Sequence, residues 1–115
     1  MSRSAREYLN HMLDECDFIC DSVQSDTTKE SFLSNEILKR AVVRSLEIIG
    51  EATKKLPSSI KETSPQIPWR NIAGMRDKLI HDYMGVNYGI VWDVVINLIP
   101  PLRNQLIIIL KELEH

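Results

Sequence analysis

The chain has 115 residues, 43% of them hydrophobic and 26% charged, with a formal charge of −2 and a pI near 5.9. That length supports one domain able to bury well over half of its unfolded surface, and the composition is ordinary for a globular protein. The acidic balance excludes nucleic-acid binding through a broad basic surface, because such affinity scales with the number of phosphates neutralised. Any contact with RNA has to be local, or assembled from more than one copy.

The first residues carry no apolar signal region, and the longest purely apolar run, Leu106 to Leu110, is too short for a bilayer. No export signal and no membrane span are expected. Cys16 and Cys20 lie one helical turn apart, a poor geometry for a disulfide within a regular helix, so buried reduced thiols in a cytoplasmic protein are expected. Structural zinc takes four ligands and only His11 is near these thiols, so neither a metal site nor a cofactor is expected. Leu113-Glu114-His115 matches the start of a hexahistidine tag and is set apart from a single domain over 1–112.

In chain order, Leu9, Met12, Leu13, Cys16, Ile19, Cys20 and Val23 follow the i, i+3, i+4 rule and predict an amphipathic helix from Ser4 to about Val23. Ser25-Asp26-Thr27-Thr28 breaks it and opens a short turn through Phe32. Ser34 is the expected cap of a longer helix to about Leu56, which buries Ile37, Leu38, Ala41, Val42, Ser45, Ile48, Ile49 and Ala52. Gly50 inside that helix costs about 1 kcal/mol relative to alanine, which points to close approach by another helix. Three prolines (Pro57, Pro65 and Pro68) make an irregular connection with a short turn at Ser58 to Thr63.

A third main helix is expected from Pro68 or Asn71 to just before Gly85, and a last one, capped by Asn87, from Tyr88 to Glu112. Pro100 and Pro101 should kink the last helix near Ile96 to Pro100. Its apolar residues, Ile90 to Ile99, occupy more than one face, and part of that surface is read as a homodimer interface. No strand pattern and no internal repeat appear. The expected architecture is all-α, an antiparallel four-to-five-helix up-and-down bundle.

The third helix carries the chemistry. Arg76 and His81 have four residues between them, and Tyr83 follows. Arginine grips phosphate, histidine moves a proton near neutral pH, and a tyrosine hydroxyl can be hydrogen-bonded or modified. On an ideal helix Arg76 and Tyr83 stand about 20° apart and Asp77 and His81 about 40°, but Arg76 and His81 diverge by about 140°. Their convergence requires a loosened helix end before Gly85, the long Arg76 side chain bending over, or two copies meeting at a dimer axis. The dimer is the expected route, because it also accounts for the surplus apolar surface. Asp77 could orient the imidazole of His81.

The block Ala41-Val42-Val43-Arg44-Ser45-Leu46-Glu47-Ile48-Ile49-Gly50-Glu51-Ala52, followed by Pro68-Trp69-Arg70-Asn71-Ile72-Ala73-Gly74-Met75-Arg76-Asp77-Lys78-Leu79-Ile80-His81-Asp82-Tyr83, resembles the HepT family of HEPN-domain proteins, in order and in separation, and the likeness covers nearly the whole chain. It implies a HEPN-type bundle that dimerises, with a metal-independent ribonuclease site in the cleft between subunits. Arg76 and His81 would be catalytic, with Asp77 at a position where many relatives carry asparagine. The resemblance also implies a toxin paired with an MntA-like nucleotidyltransferase antitoxin that transfers AMP to Tyr83. Glu51 and Arg44 fall in the resembling block and are expected either to support Arg76 or to form a solvated ion-pair row. The competing expectation is a non-catalytic helical dimer that binds a nucleotidyltransferase and nucleotide.

Overall fold

The computed structural model describes residues 4–81 and 85–114. It is an all-α bundle whose elements begin where side chains satisfy the first free backbone N–H groups. Ser4 caps α1 (Ala5–Ser22) by accepting from the Glu7 N–H. Thr28 and Ser31 form a reciprocal capping box on the short α2 (Lys29–Ser34). Asn35, rather than Ser34, caps α3 (Glu36–Lys55), because α2 runs through Ser34 and the Asn35 carboxamide accepts from Leu38 N–H at 3.0 Å. A single turn, α4 (Ser58–Glu62), occupies the proline-flanked connection.

The core lies where α1 packs on α3 and on α8 (Ile99–Leu113). Leu9, Met12, Cys16 and Ile19 of α1 and Val42, Leu46 and Ile49 of α3 are buried, each large side chain contributing about 1.5–3 kcal/mol on leaving water. The buried stripe of α3 turns toward Val43, Gly50 and Thr53 as well, and Ile37, expected inside, is 86% exposed. Ile37 stands in the first turn of the helix. Both cysteines are free thiols, and burial, with Cys20 as a lesser cause, pushes Cys16 up to about 12. The thiol of Cys16 is therefore protonated and inert at neutral pH.

The proline pair acts as expected. α7 (Tyr88–Asn97) and α8 meet at Leu98 with a bend of 47°, and Pro100 and Pro101 sit in the first turn of α8, where missing N–H groups cost no helix bond. Asn87 caps α7, accepting from the Ile90 N–H at 3.2 Å. Arg103 of α8 pairs with Asp17 of α1, and Arg6 donates to the Leu113 carbonyl at 3.1 Å, so α8 is tied to α1 at both ends. Among the described residues no single helix is long and apolar enough to cross a membrane.

The expected third helix is not continuous. It divides at Gly74 into α5 (Trp69–Ala73) and α6 (Met75–Leu79), and then gives way to a two-residue antiparallel ladder of β1 (Ile80–His81) with β2 (Gly85–Val86). Gly85, at φ +95°, supplies the left-handed backbone that returns the chain, and Asn87 N–H closes the hairpin on the Leu79 carbonyl at 2.9 Å. A ladder this short has no room for the alternation that marks a strand in sequence. Gly85→Ala would place a Cβ at positive φ, and a loss of about 1–2 kcal/mol in stability, read by urea unfolding, is the expected result.

Candidate active site

Gly50 sets the position of the motif segment. A Cβ there would stand 3.0 Å from the Ile72 carbonyl oxygen and 3.6 Å from Met75 Cβ, so α3 and the α5–α6 joint touch through backbone. Trp69 anchors the start of the segment, with its indole N–H shared between the Lys61 and Ser64 carbonyls at 3.1 and 3.0 Å. Ile72, Met75 and Leu79 are buried, and the same helical turns leave Arg76, Asp77 and Lys78 facing outward.

One turn before Gly50, Glu47 meets the motif arginine: Arg76 Nε lies 3.5 Å from Glu47 Oε2. Arg76 is 66% exposed and Glu47 25%. An exposed pair of this kind adds little stability. Its effect is orientation, since the carboxylate holds the Nε edge while the two terminal nitrogens have no partner among the described residues. That outer edge has the geometry for a two-point grip on a phosphate.

His81 lies beyond the end of α6, as the second residue of β1 opposite Gly85. The ideal-helix divergence of Arg76 and His81 therefore does not apply, because the chain leaves helical geometry at Leu79. The backbone departs from the helix before Gly85, which is one of the expected routes to convergence. Asp77 stays on α6, exposed, with no hydrogen bond or ion pair among the described residues, and α6 ends between it and His81. Tyr83 lies outside the described residues.

Arg44 and Glu51 do not join this group. Both line a pocket of about 250 Å³ between α1 and α3, and Glu51 pairs with Lys54 at 3.3 Å. Arg76 pairs with Glu47 instead, a residue that sequence reasoning did not single out. The signal was available: Glu47 is one helical turn from Gly50, the position read as a close approach, and so shares its face.

Lys39 ties α7 to α3. Its ammonium lies 4.5 Å from the Tyr88 ring centroid, pairs with Glu36 and donates to the Leu33 carbonyl at 3.0 Å, pinning the first turn of α7 to α3. Between α5–α6 and α7 runs a cleft of about 400 Å³ lined by Asn71, Met75, Lys78, Ile90, Asp93 and Asn97 among others. Among the described residues no group of three His, Cys, Asp or Glu side chains could hold a metal ion.

An outward arginine held by a carboxylate, with a histidine on the strand just after its helix, is an arrangement suited to a phosphodiester. The family model described as Ribonuclease HepT-like matches residues 12–109. The chain belongs to the HepT-like ribonuclease family. Relatives within it include a candidate RNase of Caldanaerobacter subterraneus subsp. tengcongensis, 48% identical over 96% of this chain and 97% of its own length. A candidate RNase of Methanocaldococcus jannaschii is 42% identical over 97% of this chain and 92% of its own, and a probable ribonuclease HepT of Thermococcus cleftensis is 41% identical over 91% and 94%. No solved structure matches the chain significantly. The HepT-like assignment agrees with the all-α bundle and with the family resemblance carried by the Ala41–Ala52 and Pro68–Tyr83 blocks.

Proposed function

We propose that this HepT-like chain is the toxin of a toxin–antitoxin pair, an endoribonuclease that cleaves RNA without metal through Arg76 and His81. The observation that carries the reading is the Arg76–Glu47 pair, which presents a guanidinium edge to solvent one short strand before the histidine. In the reaction a base, His81 or its counterpart in a second subunit, removes the proton of a ribose 2′-hydroxyl. The resulting oxygen attacks phosphorus and the 5′-oxygen leaves with a proton, so a cyclic phosphate and a free 5′-hydroxyl are formed. Arg76 balances the charge that develops on the phosphoryl oxygens. Asp77 would adjust the local charge beside that phosphate.

The active form is a cytoplasmic homodimer in this reading. Supporting it, α7 leaves Ile96 46% exposed and Trp92 and Leu98 half-buried, apolar surface that a second copy would cover. Silencing would come from an MntA-like nucleotidyltransferase: the Tyr83 hydroxyl attacks the α-phosphorus of ATP, pyrophosphate leaves, and the attached AMP competes with RNA phosphate by occupancy and like charge. The acidic net charge and the unpaired Asp77 favour the second reading, a non-catalytic dimer that docks the transferase.

Incubating the purified protein with single-stranded RNA in excess EDTA tests the first reading. Fragments ending in cyclic phosphate are expected, together with loss of cleavage after the transferase and ATP add one adenylyl group to Tyr83. RNA that stays intact, alongside tight binding of the transferase, would decide for the docking protein.

A further inference from the structure

The pocket between α1 and α3 differs in charge from the cleft beside α7. The α7 cleft is lined by one cation and one anion, Lys78 and Asp93. The α1–α3 pocket is lined by Tyr8, His11, Arg44, Ile48, Glu51, Ala52 and Lys55. Its one carboxylate, Glu51, is already paired with Lys54. Arg44, Lys55 and His11 are exposed and have no ion-pair partner among the described residues. On a chain of net charge −2 this is a local concentration of unbalanced donors beside a half-buried aromatic ring.

Its place relative to Arg76 follows from α3. Arg44, Ile48, Glu51 and Lys55 form one stripe along the helix, while Glu47, which holds Arg76, is one turn from Arg44 and about 60° around the axis. The Arg44 guanidinium of α3 and the Arg76 guanidinium, which α6 brings against Glu47, thus lie along neighbouring faces of α3. One phosphate can be held at Arg76 while another on the same strand lies over Arg44.

The geometry points to the α1–α3 pocket as a second RNA-binding subsite, in which Arg44 and Lys55 grip a phosphate away from the scissile bond and Tyr8 stacks on the adjoining base. The inference rests on the reading of the chain as an RNA-cleaving protein, and it resolves how an acidic protein holds RNA: by two local grips rather than a basic surface. Stacking on an aromatic ring favours binding and tolerates any sequence, while each phosphate neutralised on a single strand adds about 0.7 to the slope of log affinity against log salt.

The test uses full-length His81→Ala protein, which leaves RNA uncut if the catalytic reading holds. Its affinity for a labelled single-stranded decamer, for a dinucleoside monophosphate and for AMP is measured by competition at several salt concentrations. A dinucleoside monophosphate carries one phosphate and cannot bridge both grips. Adding Arg44→Ala or Lys55→Ala should weaken decamer binding at least five-fold, flatten the salt slope by about 0.7 each, and narrow the preference for decamer over dinucleoside monophosphate. Arg44→Lys should restore the slope, and Tyr8→Ala should weaken binding without changing it. Unchanged decamer binding in both alanine variants, or AMP binding as tight as the decamer and equally dependent on Arg44, would overturn the subsite. Arg44-dependent decamer binding by a parent protein that cuts no RNA would keep the subsite and remove the catalytic reading.

Discussion

Alanine in place of His81 is expected to lower RNA cleavage by roughly 10²- to 10⁴-fold, the usual contribution of a positioned general acid–base. Arg76→Ala should lower it by roughly 10²- to 10³-fold and weaken RNA binding as well, since a phosphate grip acts in the ground state and on developing charge. Glu47→Gln separates orientation from charge. The pair it breaks is exposed and worth at most about 1 kcal/mol, so thermal unfolding should barely move. With its Nε edge released, Arg76 samples more rotamers and kcat should fall several-fold, with partial recovery in Glu47→Asp. Single-turnover kinetics on a defined oligonucleotide reads all four variants. Equal rates in His81→Ala and the parent would remove the histidine from the mechanism.

Gly50→Leu has the largest expected effect away from the motif. The missing Cβ already marks a 3.0 Å approach to the Ile72 carbonyl, whose position is held by the Gly74 N–H that bonds to it. A backbone atom cannot swing aside as a side-chain tip can, so a leucine must push α5–α6 off α3. Overpacking of this kind costs about 1–3 kcal/mol, which for a domain of this size lowers the melting temperature by roughly 5–15 °C. Cleavage should fall by more than the unfolded fraction explains, because α6 carries Arg76 and a displacement of about 1 Å can cost 10²-fold in rate. A variant with the parent's melting curve and rate would show that the approach at Gly50 is not what sets the arginine.

Periodic elements were legible in the residues alone. The Leu9–Ile19 stripe, the Asn87 cap, the bend at Pro100-Pro101 and the tight approach at Gly50 each follow from a local rule, and each is present in the bundle. The motif segment carried the family resemblance and was misleading in its shape. Residues 71–84 contain no proline to stop a helix, and the transition at Leu79 is made by a bond from Asn87, which no local window contains. Glu47 was missed for a related reason. In α3 it is one of several charged residues, and only the packing of α6 distinguishes it from Glu51. Ile37 failed because helical periodicity does not tell where the neighbouring helix stops.

Asn87 serves two elements at once, closing the hairpin with its backbone N–H and capping α7 with its side chain. The path from Leu79 to Asn87 therefore has its entrance and exit stitched together, with Val86 packed against the core beside the exit. The end of α6 and the start of α7 thus depend on one residue, and Asn87→Ala would remove the cap of α7 while leaving the hairpin bond in place.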